Sequence, residues 1–429
     1  MDNKSINAIV ESSKQTLIDL TRQLVDIETE NNPPNGNELE GQIAFASICK
    51  DLGLDIDAFS PDEIPGFSHN EAFLQGQSYE NRKNVVACWR GNGTGKSIVM
   101  SGHMDVAPKE PLPWKLCPPY ASIVKDGRLY GRGACDMKGG LACAIMAVRL
   151  LKENGFIPAG DILLESVVDE EFASGNGTIA SRLRGHNADF GIDLEPSALR
   201  ICPATVGGLV VKITIQGTAG MPYTGDEIYN PAYGIADMIN LIRQYEKIRQ
   251  GSVLKHPLWK DAMQQCLMPI LKVKAGEVKA HGQLSVPIDA WLELTIQTYP
   301  GESEEFVMGE FKKFILEHFD SSVDVMIERE YHYIEPGDCD PSCEAVKLLK
   351  NCADRYYNEP AIICGAPFSC DLFAFHKYGH MNAVVYGPVG GNLHAPDEWV
   401  DIGSMLTATK VLMDFIVNWC IDEESALIK

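Results

Sequence analysis

Apolar and polar positions alternate along this chain in two distinct regimes. Between residues 5 and 28 the apolar positions Ile6, Ile9, Val10, Leu17, Leu20, Leu24 and Ile27 fall at helical spacing and predict one amphipathic helix. The breaker Asn31-Asn32-Pro33-Pro34 follows it. A second helix is predicted over 38–52, ending near Gly53, and 60–82 reads as loop, with Pro61, Pro65, Gly66 and Gly76. Continuous apolar runs at Ile98-Val99-Met100 and Ile162-Leu163-Leu164 read as buried strands. Gly139 to Asn154, rich in Ala, Leu, Ile and Met, predicts a buried helix with Asn154-Gly155 as its stop, and another helix is expected near 177–184. Strand and helix in alternation predict an α/β fold, a mainly parallel sheet flanked by helices.

After Gly207-Gly208 the regime changes. Leu209 to Ile215 alternates apolar and polar, the pattern of a strand with one wet face. A helix at about 231–249, an alternating strand at 292–296, a helix at 303–318 and a strand at 323–329 follow. Together they predict a small α+β unit inserted into the larger domain, giving segments 1–207, 208–335 and 336–429. The segment Arg90 to Ser97 imitates a phosphate-binding loop, but Arg90 stands where the first glycine belongs and the next element is a strand. It reads as a hairpin turn between two strands.

Composition adds exclusions. At 429 residues the chain has room for two domains, and 45 % of it is apolar without any run long enough to span a membrane. The net charge of −22 speaks against nucleic acids and anionic membranes as partners. The N-terminus is polar, unlike a secretion signal, so a cytoplasmic location is expected. Thirteen cysteines without a Cys-x-x-Cys pair read as buried free thiols.

The chemistry gathers where the apolar runs end. His103 and Asp105 follow the first strand two residues apart, so they share a face, and a carboxylate beside an imidazole is the usual support of a metal-ligating histidine. Asp136 sits among glycines just before a helix. Asp169-Glu170-Glu171 follows the second strand, where one carboxylate can ligate a metal while its neighbour acts as a base. Asp193 and Glu195 close a further apolar stretch, and either could be a ligand. His394 lies far downstream. Nitrogen and oxygen donors suit Zn²⁺, Co²⁺ or Mn²⁺, and Cys135, beside Asp136, is the one cysteine placed to add a thiolate.

In this order the motifs resemble the M20 metallopeptidases, the group of acetylornithine deacetylase, succinyl-diaminopimelate desuccinylase, aminoacylase-1 and carboxypeptidase G2. The resemblance runs over nearly the whole chain. It rests on Asn31 to Pro34, Gly102-His103-Met104-Asp105, Trp114, Asp126 to Gly133 leading into Asp136, Asp169-Glu170-Glu171, Glu195-Pro196 and His394-Ala395-Pro396. It implies a zinc-peptidase-like catalytic domain made of 1–207 and 336–429, with 208–335 as a lid and dimerisation domain. It implies two divalent ions, zinc foremost: His103 and Glu195 on one, Glu171 and His394 on the other, and Asp136 bridging. Glu195 is chosen over Asp193 because Pro196 follows it. Glu170 would be the general base and Asp105 the support of His103. The implied activity is removal of a small acyl group from an N-acyl amino acid or similar N-acylated amine, by a hydroxide shared between the ions. A metallo-dipeptidase, or a weakened homologue with a binding role, are the alternatives, and a homodimer through the lid is expected.

The chain also departs from this pattern. Met221 stands where the family carries a lid histidine that helps hold the oxyanion. Gln297 and Phe373 stand where many members have arginines that grip a substrate carboxylate. His281, Tyr223, Thr224 and, less so, His256 are the candidates to replace the missing donor.

Overall fold

Two strands buried at every position set the core. Ile98–His103 and Ile162–Val167 pair in parallel, from Ile98 opposite Ile162 to His103 opposite Val167. Strands apolar on both faces need cover on both faces, which is why helices alternate with them. The structure, a computed structural model, describes residues 1–422 apart from 71, 219, 222, 224, 226, 254–255, 260–267 and 276–284. Among these the chain divides into two compact units: Met1–Thr205 with Gly337–Ala366 and Cys370–Lys429, and Val206–Pro336 with Pro367–Ser369.

The first unit is built on an eight-stranded sheet in the order Ile363–Ala366, Ile201–Thr205, Ala383–Val385, Phe190–Asp193, Ile98–His103, Ile162–Val167, Asn84–Trp89, Asp55–Phe59. The centre is parallel, and the strands toward the 55–59 edge are antiparallel. Ile98, Met100, Ile162, Leu164 and Ile192 face one core, shared with helices Gly139–Glu153 and Ile402–Trp419. The second of these starts on a capping bond: Asp401 accepts from the Ser404 amide at 2.7 Å. Helices Asn176–Arg184 and Leu372–Lys377 cover the other face, and a Cβ on Gly191 would strike the Phe375 ring.

Two local expectations change. The helix expected over 5–28 is two helices, Asn3–Ser12 and Lys14–Val25. The hydroxyls of Ser12 and Ser13 both donate to the Ile9 carbonyl, at 2.8 and 2.9 Å, offering the backbone an alternative to helix at that joint. The segment 90–97 is not a hairpin turn: the strands it joins lie on either side of Ile162–Val167 and do not pair. Both find better partners in that buried strand than in each other. The loop at 60–82 contains two short turns of helix, Pro61–Glu63 and Phe67–His69.

The second unit has a four-stranded antiparallel sheet in the order Ile270–Lys274, Asp289–Thr298, Gly207–Gln216, Val325–Arg329. Leu209, Val211, Ile213 and Ile215 point alternately into a core with Ile235, Met238, Phe311 and Ile315 of helices Pro231–Val253 and Glu304–His318. Ser303 caps the latter, accepting from the Phe306 amide at 3.2 Å. Among the described residues Gly207–Gln216 is interior to this sheet, whose outer strands are Ile270–Lys274 and Val325–Arg329. Met221 and Tyr223 are exposed, and the His256 ring lies 4.7 Å from that of Trp259. Thr224 and His281 lie outside the described residues. No helix among the described residues is long and apolar enough to cross a membrane.

Candidate metal centre

Each candidate ligand follows a strand of the first unit, at the strand ends where α/β sheets form sites. His103 ends Ile98–His103. Glu170 and Glu171 lie in the loop after Ile162–Val167, and Glu195 comes two residues after Phe190–Asp193. Asp136 lies in the turn before helix Gly139–Glu153, reached through Gly133 in the left-handed region at φ 80, and the Asp136–Met137 peptide is cis. His394 lies in the loop between Gly390–Gly391 and Trp399–Asp401, short strands of a separate small sheet.

These residues converge as two groups whose ligand atoms lie within 4.8 Å of one another: His103, Asp136 and Glu195, and Asp136, Glu171 and His394. Asp136 belongs to both. Its Oδ1 is 3.2 Å from His103 Nε2 and its Oδ2 is 3.3 Å from His394 Nε2. His103 Nε2 is 3.3 Å from Glu195 Oε1, and His394 Nε2 is 2.8 Å from Glu171 Oε2. Asp193 joins neither group; it is buried, and its Oδ2 has no hydrogen-bond partner among the described residues. Cys135 joins neither, and burial pushes its thiol well up, away from thiolate. Glu170 also stands outside both groups, with Oε1 accepting from the Ser174 hydroxyl at 3.0 Å and Oε2 3.9 Å from His103 Nε2.

Asp105 supports the site differently from the sequence expectation. The ring nitrogen Nδ1 of His103 lies 2.8 Å from the backbone carbonyl of Asp105, and 3.7 Å from its carboxylate. That bond fixes the tautomer and leaves Nε2 free. The carboxylate instead accepts from the Glu171 amide at 2.9 Å, the Glu170 amide at 3.3 Å and the Asn31 side chain at 2.8 Å. It therefore holds the turn that presents Glu170 and Glu171. Asp169 has a φ of 69 at the start of this turn, and the surroundings over-determine it. Its carboxylate accepts from Tyr79 at 2.6 Å, and from Asn31 and Arg82 at 3.2 Å each.

Sequence reasoning missed Glu398. This fully buried carboxylate accepts from the amides of Gly133, Cys135 and Asp136 at 3.0, 2.9 and 3.1 Å, and from Arg132 at 2.8 Å. It ties the Asp136 turn to the loop that carries His394. Its closeness to His394 in sequence was the available signal, but nothing in the chain points to a turn some 262 residues away.

The electrostatics test whether a cation fits. The side chains of Asp136, Glu170, Glu171 and Glu195 are at most 12 % exposed. Burial pushes the carboxyls of Glu170 and Glu195 well above their usual range and raises Glu171. Burial also works against charge on Asp136 and on His103. For both, hydrogen bonds win: those from the two histidines hold Asp136 low, and those to Asp136 and Glu195 hold His103 well up. Hydrogen bonds to Asp136 and Glu171 lift His394 to about 11. Packed carboxylates of this kind call for positive charge, and two groups of nitrogen and oxygen donors that share one carboxylate fit two divalent ions.

The family model for peptidase family M20/M25/M40 matches residues 99–418. The chain belongs to this family. An N-formyl-4-amino-5-aminomethyl-2-methylpyrimidine deformylase of Bacillus subtilis is 29 % identical over 97 % of both chains. A probable succinyl-diaminopimelate desuccinylase of Staphylococcus aureus is 26 % identical over 91 % of this chain and 94 % of its own. Among solved structures, a dinuclear metal-binding M20 peptidase of Bacillus subtilis superposes with a TM-score of 0.63 at 15 % identity, covering 95 % of this chain and 98 % of its own. This M20 protein is thus a hydrolase of amide C–N bonds.

Proposed function

We propose that this M20 protein removes a small acyl group, formyl foremost, from an N-acylated amine, using two zinc ions for which cobalt or manganese can substitute. The observation that carries the reading is the Asp136 carboxylate, whose two oxygens face two different histidines. His103 and Glu195 would hold one ion, Glu171 and His394 the other, and Asp136 both. When bound, the ions polarise the substrate carbonyl and make water acidic.

The chain's own groups do the rest. Glu170, outside both ligand groups and with its proton affinity raised by burial, takes the proton of the attacking water. As the C–N bond breaks, the same carboxyl returns that proton to the leaving nitrogen. Asp105 positions Glu170 and Glu171 through their amides.

The departures narrow the substrate. The Gln297 side chain donates to the Pro367 carbonyl at 3.3 Å, Phe373 is buried, and Asp371 accepts from Thr178 at 2.6 Å. None of these is a cation for a substrate carboxylate, which favours an N-acylated amine without a carboxylate, such as the N-formyl aminopyrimidine named for the Bacillus subtilis relative. Assembly as a cytoplasmic homodimer through the second unit belongs to the same proposal, and light scattering at micromolar concentration checks the dimer.

The test is a panel of formyl, acetyl, succinyl and carbamoyl amides, the N-formyl aminopyrimidine among them, given to the metal-loaded protein. The expected result is hydrolysis with the highest kcat/KM for a formyl amide lacking a carboxylate. Cleavage confined to peptides with a free amino terminus would make the protein a dipeptidase, and no cleavage at all would make it a binding homologue.

A further inference from the structure

Two thiols meet at the edge of the eight-stranded sheet, in neither of the two ligand groups. Cys202 is on strand Ile201–Thr205 and Cys364 on the edge strand Ile363–Ala366, which runs parallel to it. Ile201 lies opposite Ile363 and Ala204 opposite Gly365, so Cys202 and Pro203 together oppose Cys364 alone. This is a bulge, and bulges re-aim side chains. Here the two Sγ atoms stand 3.9 Å apart. Paired strands lie about 4.8 Å apart and a disulfide accepts Cα separations of roughly 4.4–6.8 Å, so rotation of the side chains can close the gap without moving a strand.

The two thiols are unequal. Cys202 is buried at 1 % exposure, while Cys364 is only half-buried. A hydrogen bond from the Cys202 thiol, reinforced by the charge of Arg200, draws Cys364 down to about 7, while the same contact and burial push Cys202 well up. One thiol is thus the less buried and inclined to ionise, and the other is a protected neighbour in contact with it. Accessible thiolates with a resolving partner are the ones that hydroperoxides oxidise reversibly.

We propose that Cys364 and Cys202 form a reversible oxidation site for hydroperoxides, with Cys364 the attacking and Cys202 the resolving thiol. The Cys364 thiolate attacks one oxygen of hydrogen peroxide and the O–O bond breaks. Cys364 becomes a sulfenic acid, and the departing hydroxide takes a proton and leaves as water. Cys202 then gives up its proton and attacks the Cys364 sulfur; the S–O bond breaks, the S–S bond forms and a second water leaves. Two thiols and one peroxide give one disulfide and two waters. The chain passes from the first unit to the second after Thr205 on one strand and after Ala366 on the other. The bridge therefore fastens the edge strand to its neighbour just before each chain leaves the sheet.

The test uses the full-length, zinc-loaded protein with one equivalent of hydrogen peroxide, followed by alkylation, proteolysis and mass spectrometry. The expected product is a Cys202–Cys364 linked peptide that dithiothreitol separates. In C202S, dimedone should trap a sulfenic acid on Cys364; in C364S, Cys202 should stay reduced. Cys364 should react about threefold or more faster than an ordinary thiol of pKa ~8.5, the larger thiolate fraction outweighing its lower intrinsic nucleophilicity. The proposal is overturned if Cys364 oxidises no sooner than the other described thiols. It is equally overturned if oxidised Cys364 in the parent protein carries no link to Cys202. Neither outcome depends on what the enzyme hydrolyses.

Discussion

Glu170 and Glu171 are chain neighbours with divided tasks. Glu171 is pinned: its Oε1 accepts from the Ala107 amide at 2.9 Å and its Oε2 faces His394. Glu170 touches only Ser174 by hydrogen bond on its side chain among the contacts described. Glu170→Gln should therefore keep both metals and lower kcat by on the order of 10²-fold or more. Near-normal turnover in that variant would remove Glu170 from the role of base. Met221 is the other informative residue. Methionine offers no donor to an oxyanion, and one such donor is worth about 3 kcal/mol at the transition state. Met221→His should change kcat on simple N-acyl amino acids, measured with both metals bound. A rate equal to the parent's across several acyl groups would mean that this segment has no part in the site.

At the scale of elements, the Asp136 turn depends on a carboxylate that belongs to another part of the chain. Glu398 gathers three amides of the turn and Arg132. Glu398→Ala should loosen the turn and weaken metal binding by about 10–100-fold, the usual cost of losing a group that orients ligands, as read by competition with a chelator. Unchanged affinity would show that the turn holds itself. Glu398 also marks the limit of sequence reading. That His103, Asp136, Glu171, Glu195 and His394 would be candidates was legible because each stands in a short motif at a strand end or turn, and the fold brings them together in two groups. Glu398, Tyr79 and Arg82 were not, because their partners are distant in sequence and only the folded sheet brings them together. The same holds for strands: the apolar runs at 98–100 and 162–164 announced themselves, but not which strands would be neighbours, so 90–97 read as a hairpin. The break at Ser13 was hidden because hydroxyls near a helix joint do not disturb apolar spacing.

The whole molecule carries a net charge of −22, and part of the acidity is concentrated inside, around one centre. Without metal, His394 is protonated across the neutral range, because hydrogen bonds to Asp136 and Glu171 lift it to about 11. His103 is raised in the same direction. A ligating imidazole must be neutral and a ligating carboxylate ionised, so metal uptake has to expel protons. Zinc added to metal-free protein in weak buffer near pH 7 should acidify the solution, and affinity should climb with pH through the neutral range. An affinity independent of pH would contradict this charge balance. The central claim, two ions sharing Asp136, is tested most directly by anomalous diffraction from zinc-loaded crystals. Two peaks are expected, one bordered by His103 and Glu195, the other by Glu171 and His394, with Asp136 touching both. A single peak, or none at either histidine, would contradict it.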